Sequence, residues 1–189
     1  TFVTEDNEFA ALGHGINDVD TELLIHLQNG GLYPAEIDHV VKGKKGAPGQ
    51  LAGVVALGGK NKLGEIRNNT SLGITGVISN KQYQFREEQS CEAGCKQDVK
   101  KGKATILCQL DDKVQEYEVE IEKIHLSSED NKGMEIHVTD PKLLQKAGGI
   151  VQGMSGAPLL QNGKCIGAVT HVFVRDSTRG YATFLENML

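Results

Sequence analysis

From Gln115 to Ile124 polar and apolar side chains alternate without a break. Tyr117, Val119 and Ile121 fall on one side and Glu116, Glu118, Glu120 and Glu122 on the other. A period of two sends successive side chains to opposite faces of a strand, so this segment reads as a strand with one face in a core and one in water. Ala104 to Leu110 precedes it as a second strand, and Asp111 with Asp112 supplies the hairpin turn between them. Leu51 to Leu57, Gly73 to Ile78, Met134 to Val138 and Lys164 to Val174 are further short apolar runs bounded by Gly, Asn or Asp. Such spacing predicts barrels or a sandwich. Helix signals are few. Asp140 as N-cap, Pro141 in the first turn and Gly148 at the end predict one or two helical turns. Ala182 to Leu189 is expected to close the domain as a second short helix. Lys42 to Gly46 and Glu87 to Lys103 read as polar loops, the basic run of the first being a solvated face rather than a phosphate site. There is no low-complexity tract and no internal repeat.

Composition narrows this picture. The chain has 189 residues, 39% hydrophobic and 24% charged, with 23 Gly, 4 Pro and no Trp. That glycine content fits a turn-rich β protein better than a helical bundle. A net charge of −5 argues against a polyanion, nucleic acid included, as the main partner. No apolar run approaches the ~18 residues needed to cross a membrane as a helix, so this segment is not expected to insert. The chain opens Thr1-Phe2-Val3-Thr4, without Met, a basic stretch or an apolar leader, and reads as a cut-out domain or a processed product. Cys91, Cys95, Cys108 and Cys165 match no zinc-ligand spacing and read as buried or free thiols, with a Cys91–Cys95 disulfide left open. No metal is expected.

The segment richest in chemistry is Gly153-Met154-Ser155-Gly156-Ala157-Pro158. A serine hydroxyl attacks a carbonyl only when a base takes its proton and donors receive the developing oxyanion. Glycines on both sides of Ser155 let the backbone bend sharply, and they let the amides of Gly153 and Ser155 point at one spot as an oxyanion hole. Asn162-Gly163 then makes a hairpin turn, and Ile166 to His171 returns as a strand. The order glycine, any residue, serine, glycine does not fit the α/β-hydrolase elbow, because Ala157 stands where that motif needs its last glycine. The base must come from upstream. Among six histidines, His14 is delivered by the apolar run Phe9 to Leu12 and flanked by Gly13 and Gly15, which leave room for a ring and a substrate. His171, next to Thr170, is the rival.

The block from Gly153 to His171 resembles the nucleophile region of chymotrypsin-like serine proteases, and an early His14 with a late Ser155 has the chymotrypsin order. The resemblance then narrows. Ala11 to Gly15 with Asp18, Asp20 and Thr21, then Gly153 to Gly156, Gly167 to Val174 and Thr178 to Tyr181 are similar to the peptidase domain of the stage IV sporulation protein B family of spore-forming Firmicutes. That resemblance spans essentially the whole chain. It implies a mainly β, trypsin-like double β-barrel with one or two short helices, its halves meeting at roughly residues 85–105. It also implies a serine endopeptidase needing no cofactor, acting between the mother-cell and forespore membranes. The implied substrate is a membrane-associated regulatory protein whose cleavage signals a late step of sporulation. Members carry an N-terminal membrane anchor and a PDZ domain, which lie outside this sequence; the PDZ domain is the implied second partner.

The same resemblance assigns the site. His14 is the base and Ser155 the nucleophile, and His171, Val172, Phe173, Gly149 and Gly180 are assigned to substrate. The strand Thr170 to Val174 is expected to pair with an extended substrate. Two residues compete to orient His14. Asp140 stands at the family's acid position but is an equally good helix cap. Thr170 aligns with a hydroxyl that would accept from His14 Nδ1. Asp18 and Asp20 rank behind them as turn formers. Met154 cannot pair with a freshly cut N-terminus as an aspartate there would, so the oxyanion loop must be ordered in another way. Gly148 and Gly149 predict that this loop is movable.

Overall fold

A computed structural model describes residues 1–80, 82–83, 90–111, 113–128 and 131–189. Seven strands make up the first part of the chain: β1 (Phe2–Val3), β2 (Glu8–Ala11), β3 (Gly30–Leu32), β4 (Ala35–Val41), β5 (Gln50–Val55), β6 (Gly64–Thr70) and β7 (Gly73–Ile78). Five of them form one antiparallel sheet in the order β1-β2-β7-β6-β3. The other two, β4 and β5, pair only with each other as a separate hairpin.

The second part comprises β8 (Glu92–Ala93), β9 (Gly102–Gln109), β10 (Val114–Ile124), β11 (Met134–Val138), the single α-helix α1 (Pro141–Ala147), β12 (Pro158–Gln161), β13 (Lys164–Phe173) and β14 (Asp176–Phe184). Its sheet runs β12-β9-β10-β11-β14-β13-β8, and a further β12–β13 pairing closes six of these strands into a barrel. The protein is thus mainly β, with the chymotrypsin-like architecture expected.

The alternating segment explains why the barrel closes where it does. Tyr117, Val119 and Ile121 point inward and are 1% exposed, while the glutamates between them face solvent. Ile106, Met134, Ile136, Leu159, Ala182 and Phe184 complete a sealed interior from the other strands. Asn162 (φ 52°) and Gly163 (φ 78°) form the expected tight turn between β12 and β13. At Asp140, the side chain accepts from the Lys142 and Leu143 amides and starts α1; Gly148 in the left-handed conformation ends it.

Three expectations change. Ala182 to Phe184 is the end of β14, and only Leu185–Met188 turns, as a short 3₁₀ segment. Pairing to β11 on one side and β13 on the other outweighs the local helical pattern there. Leu51 to Leu57 is a strand only as far as Val55, and it lies in the exposed hairpin rather than in a core. The polar stretch ending at Lys103 contains β8, a 3₁₀ turn at Lys96–Asp98 and the start of β9, while its residues 87–89 lie outside the described residues. Asp112, half of the expected Asp111–Asp112 turn, also lies outside them.

Candidate active site

The two parts of the chain meet where β2 runs out against β13. Ala10 packs with Ala168 and Met188. Beyond β2 the backbone turns abruptly through Leu12 (φ 72°) and Gly13 (φ 71°), both left-handed. Leucine rarely adopts this conformation, and a bulky residue held there is strained at a cost on the order of 1 kcal/mol. Gly13 cannot be larger: a Cβ would sit 2.9 Å from Thr170 Cγ2 and 3.0 Å from Thr183 Cγ2. The turn therefore presses residues 12–14 onto β13, and the next residue is His14.

Opposite it, Gly156 lies so close to Leu12 that a Cβ would be 2.8 Å from the Leu12 nitrogen. The Gly156 amide donates to Val169 O (2.8 Å), and the Val169 amide to Ala157 O (2.9 Å). These contacts bring Ser155 to the seam that His14 reaches from the other side. The Ser155 hydroxyl donates to Thr170 O at 3.0 Å. His14 Nδ1 lies 2.9 Å from Gly15 O. A carbonyl can only accept, so Nδ1 carries the proton and Nε2 of the neutral ring is left as the basic nitrogen. The His14 ring tilts against that of His171, with centroids 5.1 Å apart. Both rings face a cleft of about 320 Å³ lined also by Gly15, Asn17, Leu24 and Asn131.

Among the described residues, the side-chain hydrogen bonds of both candidates for the third position go to partners other than His14. Asp140 Oδ1 accepts from the amides of Lys142 (2.8 Å) and Leu143 (3.1 Å), and Oδ2 from that of Glu118 (3.3 Å). The Thr170 hydroxyl, 3% exposed, donates to Asn131 O at 2.7 Å. Asp18 works as a turn former, accepting from the Thr21 amide and hydroxyl. Those bonds hold its carboxyl below the usual carboxylate range. The partner of His14 Nδ1 is instead a main-chain carbonyl one residue away, which no side-chain motif announces.

The loop from Gly148 to Met154 is not slack. The Gly43 amide donates to Ala147 O, the Ser177 hydroxyl to Gly148 O and the Ile150 amide to Ser177 O. The Gln152 amide donates to Gly49 O, and the Leu51 amide returns a bond to Gln152 O. Gly149 (φ +126°) is glycine because Ser177 O occupies the place of a Cβ, which is close packing rather than a hinge. Gly180 is buried for the same reason, against His171 O. Met154 is 2% exposed, with its amide bonded to Val151 O. Among the described residues, the amides of Gly153 and Ser155 donate to no protein acceptor.

Along the residues assigned to substrate, Val172 pairs with Gly180 in the sheet, and the Phe173 ring packs on Tyr181 with centroids 4.7 Å apart. His171 is exposed on the cleft. The thiols are set apart: Cys108 and Cys165 are buried, and burial pushes them up to about 12 and about 11 respectively. Among the described residues no group of three or more His, Cys, Asp or Glu is arranged to hold a metal ion. Among the described residues no helix is long and apolar enough to cross a membrane.

Comparison with known proteins adds one match. The family model described as SpoIVB peptidase S55 matches residues 1–189, the whole chain. No curated protein matches it.

Proposed function

Since the chain belongs to the SpoIVB peptidase S55 family of sporulation peptidases, we propose that it is a serine endopeptidase in which His14 and Ser155 perform the chemistry. The observation that carries this reading is the seam itself. His14, with its Nδ1 on Gly15 O, follows the turn that Gly13 packs against Thr170, and Ser155, between two glycines, donates to the carbonyl of that same Thr170; among the described residues the Gly153 and Ser155 amides have no protein acceptor. In this reading the Ser155 hydroxyl exchanges its resting acceptor, Thr170 O, for His14 Nε2 when substrate binds. Catalytic hydrogen bonds of this kind often form only with substrate bound.

His14 then takes the Ser155 proton as Oγ attacks the scissile carbonyl. The oxyanion is received by the Gly153 and Ser155 amides, and the protonated His14 delivers its proton to the leaving amine. Water repeats the sequence on the acyl-enzyme. Gly15 O, as acceptor from Nδ1–H, keeps the ring in the required tautomer. Being neutral, it stabilises the imidazolium less than a carboxylate would. The edge from Thr170 to Val174, which begins in β13 and runs past its end, would pair with an extended substrate.

The narrower reading is signalling cleavage of a membrane-associated regulatory protein in the space between mother-cell and forespore membranes. It rests on the family's role alone and is tested by profiling with peptide libraries: a narrow cleavage motif supports it, and broad degradation overturns it. The resting Ser155–Thr170 bond favours one rival, a protease-fold binding domain without catalysis. A fluorophosphonate probe decides. Labelling should be strong in the folded protein, absent in Ser155→Ala, and reduced by at least about 10³-fold in His14→Ala. Intact, folded protein that takes no label would sink the enzyme reading.

A further inference from the structure

The oxyanion loop has one neighbour that belongs to neither main sheet. The β4–β5 hairpin touches the rest of the molecule through Val40 and through Lys42 to Leu51, and this longer segment follows residues 145–153. Lys42 Nζ donates to Gln145 O (3.0 Å) and the Gly43 amide to Ala147 O (2.8 Å). Further along, Gln50 and Gln152 form a parallel bridge, with the Gln152 amide on Gly49 O and the Leu51 amide on Gln152 O, both at 2.8 Å. The Leu51 side chain then covers Gly153: a Cβ on that glycine would be 3.1 Å from Leu51 Cβ and 3.3 Å from Cγ. Gly153 itself sits at φ +99°, a conformation that must be held by its surroundings to aim the amide.

The other flank of the loop is tied to its own barrel through Ser177. The hairpin bonds to Gln152, the residue before the proposed donor amide, and its Leu51 supplies the three atoms nearest a Cβ on Gly153 itself. Its strands are otherwise thinly attached, with Val40 and Leu51 packing on the barrel core while Val54 and Leu57 stay about 70% exposed. We infer that Leu51 is a positioning residue: through its amide on Gln152 and its side chain on Gly153 it fixes the oxyanion-binding geometry of the loop. The hairpin thereby orders the loop in a chain whose Met154, the residue before the proposed nucleophile, cannot form an ion pair with an N-terminal ammonium. The inference rests on the serine-peptidase reading above.

The Leu51 amide points to Gln152 and not to β4, so Leu51→Pro deletes this bond and leaves the hairpin ladder in place. Leu51→Ala keeps the amide and removes the packing on Gly153. In the full 189-residue chain, hydrolysis of p-nitrophenyl acetate should lose about 10²-fold in kcat for Leu51→Pro and about tenfold for Leu51→Ala. KM should stay within about threefold, the acid limb of the pH profile should not move, and Leu51→Ile should restore most of the rate. Val54→Ala, at the exposed end of the same strand, serves as the control and should match the parent. Wild-type kcat in both Leu51 variants overturns the inference, as does a loss that comes with a shifted pH profile, since that would place the damage at His14. If the proline variant does not fold, the alanine variant and its isoleucine rescue carry the test. A folded parent protein that neither hydrolyses the ester nor takes a fluorophosphonate overturns the peptidase reading, and this inference falls with it.

Discussion

Ser155 and His14 stand on very different foundations. The serine rises from a closed six-stranded barrel whose core takes in Tyr117, Ile136, Leu159, Phe184 and many other sealed side chains. The histidine is carried past the edge of an open five-stranded sheet whose fully buried core, among the described residues, is Phe9, Ile74 and Ile78. Burial of apolar surface scales with the number of such side chains, at roughly 25 cal/mol per Å². The barrel, with the larger core, is expected to hold its shape alone; the smaller first sheet docks on β13 through Ala10 and Gly13, with Leu12 against Gly156. The proposed nucleophile and oxyanion donors thus sit in the half with the larger core, and the proposed base in the half with the smaller one. A site divided this way can be disassembled without unfolding the protein.

The sharpest way to break the comparison is to damage each core by the same chemistry. Phe184→Ala removes a ring with no exposure from the middle of the barrel and should cost about 3–5 kcal/mol, lowering the global urea midpoint and abolishing labelling of Ser155 together. Phe9→Ala removes a ring from the small core, where neighbours can collapse into the gap, so the cost should fall at or below the lower end of that range. Its effect on function should be larger than its effect on the barrel. Hydrogen exchange should show β6 and β7 opening while β9 to β11 stay protected, with activity lost. Equal exchange of both halves in Phe9→Ala would show that they fold as one unit.

Acid should separate the halves in the opposite direction. In the barrel half, the Lys123 ammonium bonded to Glu135 holds that carboxyl below the usual range. Lys146 does so for Asp111 and the Thr178 hydroxyl for Asp176. In the first half the corresponding group is Asp18, held down by Thr21. A carboxyl whose folded pKa is depressed adds stability above its unfolded pKa and loses it as pH falls through the folded value. The barrel should therefore lose stability as pH drops below the ordinary carboxylate range of about 4, by more than the first sheet does. Urea unfolding followed by probes in each half, at pH about 6 and about 3, measures it. Glu135→Gln should flatten the slope of the barrel probe; an unchanged slope would remove this ion pair from the account.

Much of this architecture could be read along the chain, and what could not has a common cause. The strict alternation at 115–124, the Asn162-Gly163 turn and the Asp140-Pro141…Gly148 helix frame are local patterns, and each appears where the pattern placed it. The glycines around His14 and Ser155 could also be picked out, because a left-handed turn or a close approach demands that residue. Invisible were the contacts between distant segments. Nothing in Gly49 to Leu51 points to Gln152, so the loop that paired glycines suggested was movable turns out to be stitched on both sides. Nothing in Gly15 beyond its small size indicates that its carbonyl would meet His14 Nδ1. Local sequence reports periodicity and punctuation; which strand edge or carbonyl arrives from elsewhere is decided by how the sheets close.

The smallest expected effect is also the one that separates the two roles open to Asp140. As a helix cap, its side-chain oxygen is needed but its charge is not, since Asn caps about as well as Asp. Asp140→Asn keeps the cap oxygen but places an NH2 against the Glu118 amide, so it should cost less than about 1 kcal/mol and leave kcat and its pH dependence alone. Asp140→Ala should cost about 1 kcal/mol and loosen the start of α1. A catalytic acid behaves otherwise. Removing its charge while keeping its shape should drop kcat by up to about 10⁴-fold, because the imidazolium loses its counter-charge. The carboxylate's three amide donors, from Lys142, Leu143 and Glu118, support the first outcome. A large fall in kcat for the asparagine variant, with the fold intact, would mean that Asp140 leaves the helix for His14 during turnover, and Gly15 O would then be only the resting partner of the ring.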